Sequence, residues 1–229
     1  MSPKSAQHKA VSEKIGSLTD KAYQELEERI VTLRLRPGEV LSETALSEQL
    51  GIGRTPIREA LQRLALEGLV VILPRKGILV SDINPGKQLL VLEVRRELDG
   101  LMARAGSVRR TEEERDHFLE IAAGMEQAAS ENDAIKFMRY DNEYNVLVAT
   151  AAHNEYVVRA IGLMNSLSRR FWYVHYKETA DLPHCARLHA AVARCIAEGD
   201  TEGASEASDR LIDYVETFTR ATVNTTPVR

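Results

Sequence analysis

Residues 42–69 read SETALSEQLGIGRTPIREALQRLALEGL, and the periods inside this stretch decide the fold of the first third of the chain. Ser42 stands where a helix cap belongs; Ala45, Leu46 and Leu50 follow on a short helix that Gly51 ends. The next helix is expected from Thr55-Pro56, a cap followed by proline at the first helical position. Its apolar residues Ile57, Ala60, Leu61 and Leu64 recur at the spacing of one helical face. That face must meet a core, which leaves Arg54, Thr55, Arg58 and Gln62 on the outside.

Upstream, a helix starts near Thr19, repeats Tyr23, Leu26, Ile30 and Leu33, and stops before Arg36-Pro37-Gly38, because a residue preceding proline avoids the helical region. Downstream, Val70-Val71-Ile72-Leu73 and Ile78-Leu79-Val80 are β-branched runs joined by Pro74-Arg75-Lys76-Gly77, a short hairpin with a basic tip. Three helices and a hairpin in this order make a winged helix-turn-helix over residues 19–82, after an N-terminal arm at 1–18. Two arginines near the start of a helix suit the major groove, where a guanidinium reads guanine O6 and N7. The free N–H groups of that helix start, with Thr55, suit a phosphate, and Arg75 and Lys76 suit a neighbouring groove or the backbone.

Charge is distributed to match. The 229-residue chain has a net charge of −4, yet residues 1–85 hold 12 Lys and Arg against 11 Asp and Glu, while residues 86–229 hold 18 against 23. Within 51–80 there are five basic residues and two acidic ones. A basic module on an acidic body is the pattern of phosphate binding by one part of a molecule; a solvated charged face would give the same count. Hydrophobic residues at 44% and charged residues at 28% fit a globular chain. No apolar run approaches the roughly 18 residues of a membrane helix. The N-terminus is polar, and two cysteines, Cys185 and Cys195, make no disulfide framework. A cytoplasmic protein without a membrane partner is expected.

The stretch 19–82 resembles the GntR superfamily of bacterial transcription regulators. The likeness lies in Arg36-Pro37-Gly38, Leu41-Ser42-Glu43, Ala45-Leu46-Ser47 and Leu50-Gly51, then Arg54-Thr55-Pro56-Ile57-Arg58-Glu59-Ala60-Leu61, and the wing at Gly77. It implies base and phosphate contacts by Arg54, Thr55 and Arg58, with Gly77 entering the minor groove. A position that is often arginine in relatives is Thr44 here, which can touch a phosphate but not grip a base with two bonds. Gly51-Ile52-Gly53 is not a dinucleotide fingerprint: no parallel strand precedes it, and Pro56 holds the third glycine position.

Asp82-Ile83-Asn84-Pro85-Gly86 marks the domain boundary, with 83–86 as linker. Beyond it strand signals vanish, and six helices are expected at about 87–106, 111–130, 132–152, 154–178, 183–198 and 200–222, with a tail at 223–229. The fold class is therefore mainly α: a winged helix-turn-helix followed by an all-α antiparallel bundle. Residues 87–222 resemble the FCD effector domain of the FadR-like branch of the same superfamily. The resemblance rests on Glu93-Val94-Arg95-Arg96-Glu97-Leu98-Asp99, Asp141-Asn142-Glu143-Tyr144-Asn145, Asn154, His189 and Ile196-Ala197-Glu198-Gly199-Asp200. Six helices are closer to the vanillate-regulator subgroup.

Many members of that branch hold a metal with one aspartate and three histidines. Here Asp141 and His189 stand at two of those positions, while Asn145 and Leu211 occupy the others. Leucine offers no ligand, so no cofactor is expected; a zinc or nickel ion would have Asp141 and His189 to hold it. Independently of the resemblance, Asp141 and Asn145 interrupt the apolar face of Phe137, Met138, Tyr144 and Val148. His189 sits among Cys185, Leu188, Val192 and Ile196, and Arg95 among Val91, Val94, Leu98 and Met102. Buried polar groups converging from separate helices make either a ligand cavity or a structural set, an Arg95–Asp141 ion pair with a hydrogen-bonded His189. In a cavity, Arg95 is the partner for a carboxylate, completed by Asp141, Tyr144, Asn145 and His189.

Lesser candidates read as structure. Phe171-Trp172-Tyr173 beside Arg169-Arg170 is core plus rim, the cysteines are buried thiols, and the lone Glu114-x-x-His117 lies in a charged helix start. The expectation is a ligand-responsive DNA-binding regulator, not an enzyme. It would be a homodimer on a pseudo-palindromic duplex operator, a repressor released by a small anionic metabolite. The alternative is a constitutive DNA-binding regulator whose second domain only dimerises.

Overall fold

The computed structural model describes residues 17–75, 77–179 and 181–225. Most of the expected arm, Lys76 and residues 226–229 lie outside the described residues. Helix α1, Leu18–Val31, opens with a capping box in which Ser17 and Asp20 satisfy each other's backbone N–H groups. Helix α2, Glu43–Leu50, is capped by the Ser42 hydroxyl and closed by Gly51 at φ 63°, a left-handed turn that glycine adopts without strain. Helix α3, Arg54–Leu66, starts two residues earlier than expected: Gly53 is the cap, with no side-chain hydrogen bond. Pro56 is thus third in the helix, where its missing N–H would have had no intrahelical partner.

The hairpin forms as expected from β2, Val70–Leu73, and β3, Gly77–Val80, in register Val70↔Val80 and Leu73↔Gly77. A two-residue strand that the sequence reading did not anticipate, β1 at Val40–Leu41, pairs antiparallel with the other edge of β3, giving the order β1-β3-β2. Ile30, Ile57, Leu61, Leu64 and Leu69 are wholly buried at the centre of this domain. Each such side chain is worth about 1.5–3 kcal/mol of burial, which holds α3 with its polar face outward.

The second body consists of α4 (Pro85–Arg109), α5 (Glu112–Ser130), α6 (Ala134–Ala151), α7 (Glu155–Gly162), α8 (Asn165–Thr179), α9 (Leu182–Glu198) and α10 (Thr201–Thr225). Asn84 caps α4, so Pro85 and Gly86 form its first turn rather than a linker. The single helix expected over 154–178 is two. The chain breaks at Leu163-Met164, where backbone N–H groups turn back to Ala160 and Ile161. Seven helices among the described residues remove helix count as an argument for the vanillate-regulator subgroup. α4 packs chiefly on α10 and α5 on α9. Phe118, Ile121, Met125, Phe137, Ile161 and Ile196 fill the core.

Helix α8 joins the two bodies. Leu167 packs against the core of the winged domain. Arg170 donates to the carbonyl oxygens of Ser81 and Asp82 and to the Ser81 hydroxyl, at 3.0–3.2 Å. The expectation that Arg169-Arg170 forms a rim is overturned: Arg169 and Arg170 are 7% and 3% exposed. Burial lowers the Arg170 pKa to about 10, and three oxygens compensate the desolvated guanidinium.

Candidate functional site

On the winged domain, Arg54, Thr55, Arg58 and Gln62 of α3 are all exposed, as are Thr44 on α2 and Arg75 and Gly77 at the hairpin tip. Arg58, Gln62, Arg75 and Gly77 line one groove between α3 and the hairpin. Arg75 and Gly77 adopt positive φ, 63° and 97°, which folds the tip tightly beside α3. Glu43, not anticipated, grips Arg58 with two bonds, Nη2–Oε2 at 2.8 Å and Nε–Oε1 at 3.1 Å. The Arg58 hydrogen bond holds the Glu43 carboxyl below the usual carboxylate range. Arg58 is thus tied to α2 by a bidentate ion pair at the exposed face of α3.

In the helical body, Arg95 and Asp99 from α4, Asp141, Tyr144 and Asn145 from α6, and His189 from α9 line one cavity of about 60 Å³. Arg169 and Trp172 from α8 and Ser208, Leu211, Ile212 and Val215 from α10 also line it. The predicted effector residues are thus brought together. The space admits water or a very small ligand, so anything larger requires side chains to move.

Asp141 is the centre of the polar set. Its Oδ1 lies 3.2 Å from His189 Nε2 and its Oδ2 3.3 Å from Arg169 Nε. Burial opposes ionisation of Asp141, but the hydrogen bond and charge of His189, with Arg169 and Arg95, bring its pKa below the ordinary value. Burial alone would push the His189 pKa down; Cys185 and the Asp141 carboxylate outweigh it, and the value rises to about 10. Tyr144 and Phe137 meet the imidazole edge-on, with ring centroids at 5.3 and 5.8 Å. Burial drives the Tyr144 phenol pKa upward.

Arg95 does not pair with Asp141. It bonds Asp99 Oδ2 through Nε at 3.1 Å and Asn145 Oδ1 through Nη2 at 3.1 Å, while Asn145 Nδ2 donates to the Asp141 carbonyl oxygen at 2.7 Å. Asp99 is so buried that its carboxyl is pushed up in pKa despite Arg95. Arg169 and Trp172 were missed as site residues. Their signal was the spacing Arg169, Trp172, Tyr176, which places a guanidinium on an apolar helical face. The Trp172 indole N–H is buried and has no hydrogen-bond partner.

Comparison with known proteins fits this architecture. Residues 18–80 match the model of the bacterial regulatory proteins of the gntR family, and residues 90–214, more than half the chain, match the FCD domain. The chain belongs to the GntR family. Among its relatives, an HTH-type transcriptional regulator in an unstable DNA locus of Streptomyces ambofaciens is 31% identical over 69% of this chain and 72% of that one. The Nta operon transcriptional regulator of Aminobacter aminovorans is 28% identical over 69% and 75%. The solved Escherichia coli McbR/YncC shares the fold at 18% identity, with a TM-score of 0.79 over 92% of this chain and 100% of that one. This GntR-family chain is accordingly a transcriptional regulator with a helix-turn-helix and an FCD domain, a family of regulators rather than enzymes. Among the described residues no helix is long and apolar enough to cross a membrane.

The metal that many FCD domains carry does not fit these residues. No group of three or more His, Cys, Asp and Glu that could hold an ion occurs among the described residues. Asp141 and His189 contact each other directly, Asn145 Oδ1 is taken by Arg95, and Leu211 lines the cavity with carbon alone. Two guanidiniums and an imidazolium already supply the positive charge that an ion would bring.

Proposed function

We propose that this regulator is ligand-responsive and that its effector is a small anion, a carboxylate or a sugar acid, bound in the cavity between α4, α6, α8, α9 and α10. The observation that carries the reading is the donor set: Arg95, Arg169 and His189 converge beside the unpaired Trp172 indole N–H. A buried donor without an acceptor costs about 1–3 kcal/mol, a cost that a ligand oxygen removes. Effector binding then biases the two DNA-reading heads between spacings that fit an operator and spacings that do not, for which a few kcal/mol of differential affinity suffices. Release from DNA, that is repression relieved by the metabolite, is the direction we infer.

Thr44, Arg54, Thr55, Arg58, Gln62, Arg75, Lys76 and Gly77 are the residues proposed to meet the duplex. One recognition helix spans a few base pairs, so affinity calls for two copies on a pseudo-palindrome. The pairing surface we infer is the outer face of α4. Leu90, Val94, Leu101 and Val108 are exposed there at spacings of four and seven, with Glu97 and Arg104 on either side of Leu101. A two-fold axis near Leu101 sets Glu97 of one copy against Arg104 of the other, and the converse.

A thermal-shift screen against small carboxylic and sugar acids, with and without chelator, tests the effector claim, because a ligand of the folded state must raise the melting temperature. A chelator-insensitive rise that Arg95→Ala abolishes is expected. Silence across the panel, with DNA binding intact, would favour the constitutive alternative.

A further inference from the structure

Beyond the effector reading, and resting on the DNA-binding one, we propose that Arg169 transmits the state of the cavity to the DNA-binding domain. Its guanidinium lies between the two. Nη1 bonds Oε1 of Glu27, on α1 of the winged domain, at 2.5 Å; Nη2 bonds the Met138 carbonyl oxygen at 3.2 Å; Nε faces Asp141 at 3.3 Å. With His189 beyond Asp141, an unbroken buried chain of charges, His189–Asp141–Arg169–Glu27, runs from the far wall of the cavity to the first helix of the DNA-reading module.

Adhesion between the domains does not call for such a chain. Apolar residues of similar volume hold two bodies together as well or better, and the best attested use of buried ionic groups is to fix one arrangement against another. Two features make Arg169 suited to switching. Its Nε–H, although close to Asp141, makes no aligned hydrogen bond, so one edge of the guanidinium is under-satisfied on the cavity side. An anion entering there offers a better acceptor and draws the guanidinium towards itself. Glu27, in turn, is 7% exposed and bonded to Arg169. Deprived of its guanidinium it would be a buried carboxylate left with the Ser166 side chain alone, a state that α1 escapes by moving towards water. The next residue on α8, Arg170, grips Ser81 and Asp82 where the winged domain ends, so a shift of this one helix reaches both connections.

Coupling is reciprocal, so DNA binding must in turn be felt in the cavity. Trp172, the one tryptophan of the chain, is the reporter in the cavity wall. The full chain is titrated with a duplex that the wild type has selected from a randomised pool, and tryptophan emission is followed to saturation. Emission is expected to change for the wild type and for Glu25→Gln, whose side chain pairs with Arg29 on the same helix. In Glu27→Gln the duplex is bound within about threefold of wild type, yet the emission change falls by half or more. Should that variant not fold, Glu27→Asp, which keeps the charge and shortens the reach, takes its place with the same expectation.

An undiminished emission change in the Glu27 variant would overturn the proposal. So would a wild type that saturates with duplex and shows no change in emission, which leaves the DNA-binding reading standing. A wild type that selects no duplex at all would overturn that underlying reading and the proposal with it.

Discussion

His189 is held between two acceptors: its Nε2 lies 3.2 Å from Asp141 Oδ1, and its Nδ1 lies 2.9 Å from the carbonyl oxygen of Cys185. A carbonyl oxygen can only accept, and an ionised carboxylate can only accept, so both ring nitrogens donate and the ring is an imidazolium.

The first prediction concerns pH. The His189 pKa is raised in the folded state to about 10, so its contribution to stability is complete below the ordinary value near 6.5 and is lost as pH rises through 10. The Asp141 pKa is lowered, so its contribution is present above the ordinary value of 3.8 and is lost as pH falls through the folded value. The difference in melting temperature between wild type and His189→Gln should therefore be largest between about pH 4 and 6.5 and shrink towards pH 10. Thermal denaturation across that range measures it, and a difference that grows with rising pH would sink the assignment.

How much of this was legible beforehand differs from residue to residue. The periods of α1, α2, α3 and the hairpin are local, and the sequence alone placed Arg54, Arg58 and Gln62 outside. Asp141, Asn145 and His189 were visible because each interrupts an apolar face, and that too is a local signal. Arg169 was not, because its partner Glu27 lies 142 positions away on another domain. Only tertiary packing tells a buried, paired guanidinium from one on a rim. The break between α7 and α8 was overlooked because apolar residues continue through Leu163-Met164, although Gly162 and Asn165 flank it. Strand β1 has two residues, too few for any period to register.

The second prediction follows from the imidazolium, which has no lone pair to give a metal ion. Chelator should leave the melting temperature unchanged, and added zinc or nickel should not raise it, in buffers near neutral pH. A zinc-dependent rise that His189→Ala removes would mean that the ion displaces the proton, contrary to the contact seen here. Loss of His189 is itself expected to cost about 3–5 kcal/mol, because it leaves Asp141 buried with one partner fewer.

A third prediction separates reading from mere attraction on the DNA side. Arg58→Ala should weaken binding to a selected duplex by on the order of tenfold or more while changing binding to an unrelated duplex far less, as expected when a base contact is lost. Glu43→Ala leaves Arg58 in place but releases it, and removes a negative charge from the face proposed to meet phosphates. Affinity for the unrelated duplex should therefore rise, and the ratio of selected to unrelated binding should fall. Fluorescence anisotropy at two salt concentrations resolves these effects. A Glu43→Ala variant with an unchanged ratio would show that the bidentate grip on Arg58 plays no part in discrimination.

The fourth prediction tests the pairing surface on α4. Under a two-fold axis near Leu101 each Glu97 faces an Arg104, so a single change is felt twice in the dimer. Glu97→Arg places like charges together at both ends and should weaken self-association, measured by sedimentation, by roughly tenfold, since exposed pairs are worth at most about 1 kcal/mol each. Arg104→Glu should do the same for the opposite reason. The double variant restores opposite charges with their positions exchanged and should recover most of the loss, the signature of direct contact between the two positions in different copies. Leu101→Asp, at the axis, should weaken association further than either charge change, because it sets two carboxylates side by side where two leucines met. Single variants that weaken association without rescue in the double variant would place the interface on another face of the bundle.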